Sequence, residues 1–383
     1  MHGYNEFMKT PIYLDYNATT PIDPIVAEAM LPFITSHFGN PSSSHAYGKK
    51  AKQAIENARF QVSDLLGCHS REIIFTSCGT ESNNLAIKGF AQANMERGNH
   101  IITSAIEHPA VLEVCRELTK TGFELTILPV DRSGMVDCKD LEASINEKTI
   151  LVSIMHANNE VGTIQPIRDI VKIAHRHNVA VHSDAAQSIG KIEVDIEDLC
   201  VDLLSIAGHK LYAPKGIGAL YVRDGVSIKK QMQGAKHENN NRPGTENVIG
   251  IVGLGKACDL IKKNLADYKS QYSILRNLLE EGILKSGMDV KIHGDIEKRL
   301  PNTSSIGFKG RNANDIVTQL TGIAISAGAA CHSEEVTISH VLQAMSVAEE
   351  YAKGTIRFST GRMTKKTDIN KALRQILESL TDN

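Results

Sequence analysis

The sequence predicts an α/β protein: a large domain on a mostly parallel, seven-stranded central sheet covered by helices, plus a smaller α+β domain. Three observations predict it. Short apolar, β-rich runs alternate with helical patterns between about residues 70 and 225. Those runs are apolar throughout, as strands buried on both faces are. Beyond about residue 245 the alternation gives way to one long helical stretch and scattered short strands.

The candidate strands of the large sheet are "EIIFTS" (72–77), "HIITS" (100–104), "FELTILPV" (123–130), "TILVSIM" (149–155), "VAVHSD" (179–184), "DLLSIAG" (202–208) and "GALYV" (218–222). Amphipathic stretches such as "AVLEVCRELTKTG" and "IRDIVKIAHRHN" lie between them and supply the covering helices. A first helix is expected near "DPIVAEAMLPFI". The later region contributes the long helix beginning "NVIGIVGLGK", strands near 289–293 and 303–308, the strand "TIRFS" (355–359), and a last helix from about Asp368. The boundaries predicted are 20–255 for the large domain, and 1–19 with 256–383 for the small one.

Composition excludes several function classes. The net charge is −2 over 383 residues, so nothing marks an electrostatic surface for nucleic acid. No apolar run reaches the ~18 residues that a membrane span needs, and the start "MHGYNEFMKT" has no secretory core. A cytoplasmic setting without membrane contact is expected. The seven cysteines are odd in number and include no C-x-x-C pair, so most are expected to be reduced, buried fillers, with no metal site. "HRH" at 175–177 ends a predicted helix, where a basic cap is the simpler reading than a metal ligand set.

Two residues carry the first chemical signal. "VHSDAAQ" ends a strand at Asp184, and "SIAGHK" ends another just before Lys210. Ligands of such sheets bind beyond the carboxyl ends of the strands. An aldehyde cofactor with a pyridine ring needs a lysine amine for its aldehyde carbon and a carboxylate for its protonated ring nitrogen. Taken alone, the pair reads more simply as a turn-capping aspartate and a solvated lysine. "TSCGTESNN" (76–84) adds a strand end and a polar helix start, with Gly79 and Thr80 placed for an anion or for an ordinary cap. His108, in "SAIEHPAV", follows a strand where a ring stacks on a planar cofactor or merely turns the chain.

In order and spacing, "YLDYNATT", "GNPSSSH", "TSCGTESNN", "EHPAV", "HANNEVGTIQP", "HSDAAQSIGK", "GHKLYAPKGIGALYV", "RPGTEN", "SAGAACHS" and "IRFSTGR" resemble the NifS/IscS-type cysteine desulfurases. That family belongs to the class V aminotransferase superfamily of fold type I, which uses pyridoxal 5'-phosphate. The resemblance implies that Lys210 binds the cofactor and moves the substrate's α-proton. It implies that Asp184 pairs with the ring nitrogen, that Gln187 bonds the ring hydroxyl, and that His108 stacks on the ring and serves the substrate sulfur. Gly79, Thr80 and His209 would hold the phosphate, and Thr245 would reach the phosphate of the other subunit of a homodimer. Asn159 would position substrate and cofactor, and Arg357 would grip the substrate carboxylate. Cys331, on a loop at about 326–338, would take sulfur from L-cysteine as a persulfide, releasing alanine, and pass it to a sulfur-acceptor protein such as an iron–sulfur scaffold or sulfur carrier. DNA phosphorothioation and tRNA thiolation are further destinations. Selenocysteine lyase, another class V aminotransferase activity, or a catalytically weak scaffold are the alternatives.

Three departures from the family pattern stand out. Ala207 occupies a position where a hydroxyl commonly binds phosphate. Lys236 and Asn239, in "QGAKHENNN", stand where glycine and arginine are expected, near the predicted dimer contact. Glu334 and Glu335 follow Cys331 and would raise its thiol pKa, whereas a protonated His332 would lower it.

Overall fold

The computed structural model describes residues 10–330 and 337–381. Seven strands form the larger sheet: β1 (Ile73–Thr76), β2 (His100–Ser104), β3 (Glu124–Leu128), β4 (Thr149–Ser153), β5 (Ala180–Asp184), β6 (Leu203–Ala207) and β7 (Gly218–Val222). Their order across the sheet is β1-β7-β6-β5-β4-β2-β3. The pairs from β6 through β5, β4 and β2 to β3 are parallel, and β7 is antiparallel to both β6 and β1. The exception has a local cause. The turn after Lys210 is too short for a crossover helix, so the chain returns antiparallel.

Every residue of β2, β4, β6 and β7 is buried, which is why these runs read as unbroken apolar segments. β3 lies at the edge and leaves Glu124 and Ile127 exposed. One apolar core covers one face with the helices Ala46–Leu66, Ile167–Arg176 and the first part of Val248–Leu284, through Ile55, Val62, Ile170 and Leu254. A second covers the other face with Gly79–Ala93 and Pro109–Thr119, through Leu85, Phe90, Val111 and Leu118.

The smaller sheet contains β8 (Val290–His293), β9 (Thr303–Phe308), β10 (Ser326–Ala327) and β11 (Thr355–Ser359), in the antiparallel order β10-β11-β9-β8. It packs against the final helix Lys366–Thr381 and the later turns of Val248–Leu284. Ile12–Tyr13 pairs in parallel with Ile323–Ala324, and Leu14 enters the small core.

Some boundaries differ from those expected. The last helix begins at Lys366 rather than Asp368, because Asp368 sits inside the first turn and accepts from the Lys365 N–H at 2.9 Å. Of the six described cysteines only Cys115 and Cys258 are buried, contrary to the expectation that most would be. Cys200 is exposed because it forms a left-handed helix cap (φ 57°). His175 and Arg176 lie in the last turn of their helix, with His175 bonded to Asp202 at 2.9 Å. Among the described residues no helix is long and apolar enough to cross a membrane.

Candidate active site

A cavity of about 310 Å³ opens beyond the carboxyl ends of the parallel strands. Its lining includes Gly79, Thr80, His108, Asp184, Gln187, Asn159, His209, Lys210 and Arg357, so nine of the predicted site residues converge there. They come from the whole length of the chain, which no local pattern links.

Asp184 is the last residue of β5, and Lys210 follows the neighbouring β6 in a tight 3₁₀ turn. Asp184 is buried. Its Oδ1 accepts from the Ala186 N–H at 2.9 Å and its Oδ2 from Asn83 Nδ2 at 2.7 Å. It therefore holds its own turn, as a capping aspartate does, and still faces the cavity. Lys210 is not a solvated loop residue. Its Nζ donates to the Asn17 and Ala18 carbonyls at 2.6 and 2.8 Å. Burial, then the Arg357 charge, lowers its pKa to about 8. The amine is thus closer to its neutral, nucleophilic form near neutral pH than a free lysine is.

Asn17, buried at 1% exposure, organises this floor. Its carbonyl accepts from Lys210 and from Gln187 Nε2 (2.9 Å). Its side-chain oxygen accepts from Lys191 Nζ (2.8 Å) and Asn302 Nδ2 (3.0 Å). Asn17, Asn83 and Lys191 were not singled out from sequence. Their signal was present only as membership in "YLDYNATT", "TSCGTESNN" and "HSDAAQSIGK".

One end of the cavity suits an anion. The helix Gly79–Ala93 begins there, with Cys78 at its cap and Thr80 in its first turn, not at the cap itself. A Cβ at Gly79 would come within 3.0 Å of the Ala207 Cβ, so small residues at both positions keep this end open. His209 shares a hydrogen bond with the Thr19 hydroxyl (3.1 Å), and burial, then Lys210 and Lys215, lowers its pKa to about 4. Thr245 does not line this cavity. It is exposed beside Arg242, whose guanidinium is paired with Glu81 (2.8 Å) in the first turn of that helix.

His108 caps the helix Pro109–Thr119 by accepting from the Ala110 N–H through Nδ1 (3.1 Å), which leaves the ring proton on Nε2. Burial holds its pKa below the ordinary imidazole value. Asp184 opposes this, and Lys210 and His340 reinforce it. Beneath it, the fully buried Glu107 accepts from Ser104 Oγ (2.6 Å) and from the Met155 N–H, and burial pushes its pKa up to about 8.

Arg357, in the middle of β11, closes the cavity from the small sheet. It donates to Asp15 Oδ1 (2.7 Å) and to the Asn159 carbonyl (3.0 Å), while its buried Nε has no partner. Cys331 lies outside the described residues, as do His332, Glu334 and Glu335. The chain on either side is described: Ala329–Ala330 pairs antiparallel with Thr337–Ile338, and Ser339 and His340 are tied to Glu160 (2.5 Å) and the Glu107 carbonyl (2.9 Å).

The unusual 234–241 segment is anchored rather than loose. Glu238 is buried and receives both Arg59 terminal nitrogens at 2.7 Å and the Phe75 N–H at 2.8 Å. Glu238, Asn239 and Asn240 all have positive φ (45°, 53° and 67°), conformations that asparagine tolerates better than most residues.

The cavity fits pyridoxal 5'-phosphate. A helix start open to phosphate, a depressed lysine, a charge-accepting aspartate and two unpartnered buried polar atoms, Asn83 Oδ1 and Arg357 Nε, surround one space. Among the described residues there is no cluster arranged to hold a metal ion.

Residues 12–372 match the aminotransferase class-V family. Cysteine desulfurase IscS of Dictyoglomus turgidum is 48% identical over 378 residues, covering 97% of this chain and 96% of that protein. Cysteine desulfurase IscS of Escherichia coli is 46% identical over 378 residues, covering 97% and 93%. A solved NifS-like protein superposes with a TM-score of 0.92 at 39% identity, covering 97% of this chain and 100% of that one.

Proposed function

This chain belongs to the class-V aminotransferase family and is a pyridoxal-phosphate-dependent cysteine desulfurase, and on that premise we propose which of its residues carry the reaction and where the sulfur goes. The observation that carries the assignment is Asp184 and Lys210 at the ends of adjacent parallel strands, facing one cavity. Bound pyridoxal phosphate supplies an electron sink that weakens bonds at the substrate's α-carbon.

Asp184 would hold the ring nitrogen's proton, its carboxylate fixed in place by the donors from Asn83 and Ala186. Gln187 would donate to the ring oxygen, and Gly79, Thr80 and His209 would hold the phosphate. Lys210 would hold the aldehyde carbon and, with its lowered pKa, would move the substrate's α-proton. Arg357 binds the substrate carboxylate, beside Asn159. His108, with its proton on Nε2, exchanges a proton with the substrate's sulfur. Cys331 takes the sulfur: L-cysteine and the Cys331 thiol become alanine and a Cys331 persulfide, with no external oxidant or reductant.

We read the chain as two domains, 20–255 and 1–19 with 256–383, and as a homodimer. Ile25, Leu31, Ile34, Phe38, Tyr47 and Phe60 are all exposed within two successive helices and their connection, an apolar surface suited to a second copy. Thr245, away from its own cavity, would serve the phosphate of that copy. The free thiols suit a reducing cytoplasm. The onward acceptor would be a sulfur-carrying or iron–sulfur scaffold protein.

The test is direct. Purified protein receives L-cysteine, alanine is assayed, and the Cys331 peptide is examined by mass spectrometry. Alanine formed in step with one added sulfur on Cys331 is expected. Alanine with sulfur on another cysteine would remove Cys331 from the scheme.

A further inference from the structure

Lys191 is a lysine where packing alone would favour an apolar residue. It is 5% exposed, and Nζ donates to two amide oxygens, Asn17 Oδ1 at 2.8 Å and Gln187 Oε1 at 2.5 Å. Burying an ammonium is costly unless it serves a polar purpose. Burial, followed by the charges of Lys210 and Arg357, puts its pKa well below the usual lysine value. Two of its N–H bonds are spent on these two oxygens.

The consequence falls on Gln187. A carboxamide has a donor end and an acceptor end that differ little in shape, so its orientation is decided by its partners. Here both partners agree. Lys191 can only donate to Oε1, and the Asn17 carbonyl can only accept from Nε2, at 2.9 Å. A flipped Gln187 would set donor against donor and oxygen against oxygen. One Nε2 hydrogen serves Asn17, and the other is left for the cavity that Gln187 lines.

We propose that Lys191 is a positioning residue: its buried amine fixes the Gln187 carboxamide so that Gln187 offers the cofactor's ring oxygen an N–H donor and never an acceptor. The proposal rests on the cofactor site assigned above. A donor on an oxyanion stabilises its charge and lowers its affinity for a proton. Without Lys191 the carboxamide is free to turn, the donor is lost for part of the population, and the ring oxygen becomes more basic.

The test is a pH titration of the visible absorbance of the resting holoenzyme, which requires no turnover. The wild type is compared with Lys191→Met, Gln187→Leu and the double variant. The expected result is an upward shift of the titration midpoint by about one pH unit in Lys191→Met, the size of one hydrogen bond lost from a charged group. A similar shift is expected in Gln187→Leu, and no further shift when Lys191→Met is added to it. An unchanged midpoint in Lys191→Met overturns the proposal. So does a shift that persists undiminished in the Gln187→Leu background, because Lys191 would then act through its own charge or through Asn17. If Lys191→Met does not fold as a holoenzyme, Lys191→Leu also lacks the donor and is read by the same two criteria. Failure of the underlying site assignment looks different: the visible band of the wild type would survive Lys210→Ala.

Discussion

The two sheets build opposite walls of one cavity in different ways. On the large-sheet wall, Asp184 and Lys210 stand at the ends of adjacent buried strands and their charged atoms are satisfied: two donors for the carboxylate, two carbonyls for the amine. On the small-sheet wall, Arg357 reaches in from mid-strand and keeps a buried Nε without a partner. The difference teaches a division of labour. The first wall is preorganised for a resident group held in a constant pose, whereas the second brings a guanidinium in from another sheet to face a substrate that comes and goes.

Substitutions should separate the two walls. The largest effect is expected on the large-sheet side: Lys210→Ala should remove the visible band of the bound cofactor and all detectable alanine formation. Turnover surviving in that variant would break the assignment of the amine. Arg357→Lys should act differently, raising KM for L-cysteine by about 10- to 100-fold, with a smaller change in kcat, because a bidentate fork is replaced by a single ammonium. Steady-state kinetics decides this, and an unchanged KM would place the substrate carboxylate elsewhere.

A stability measurement on the cofactor-free protein follows in size. His182 is fully buried between the Ser153 and Ser205 hydroxyls (2.8 and 2.9 Å), and burial lowers its pKa to about 4 from 6.5. The folded pKa is the lower one, so between pH 6.5 and 4 the unfolded chain binds the extra proton. Stability should fall as pH drops through that window, by on the order of 3 kcal/mol from this residue. His156, lowered to about 4 by burial, adds in the same direction. Glu107 opposes both: its pKa is about 8 when folded against 4.5, so the folded state gains a proton, and stability, as pH falls from 8. Denaturant melts at several pH values should show a steeper acid loss in Glu107→Gln and a shallower one in His182→Gln. Smallest is Asn83→Leu, which removes one donor from Asp184 and should weaken cofactor affinity by about tenfold in a binding titration.

Much of this was legible along the chain. Unbroken apolar runs announced strands buried on both faces, and β2, β7 and β11 have the predicted limits. The strand-end positions of Asp184 and Lys210 followed from that pattern. Residues whose role lies in contacts across the chain were not legible. Asn17 is distant in sequence from both Lys191 and Lys210, yet it bonds both. Nothing in "SIGK" announces an amine that would be fully enclosed.

What the sequence by itself determined is the set of chemical groups and their local elements: periodicity sets strand or helix, and the ends of buried parallel strands set where ligands bind. Only the tertiary structure decided which groups share hydrogen bonds and which are dry. Those outcomes depend on the distance between segments and the exclusion of water, and both arise only when the two sheets close on the same cavity. The lowered pKa of Lys210, set by burial and then by Arg357 of the small sheet, is a product of that closure, while the turned-in Asn83 follows from a helix packing on the large sheet.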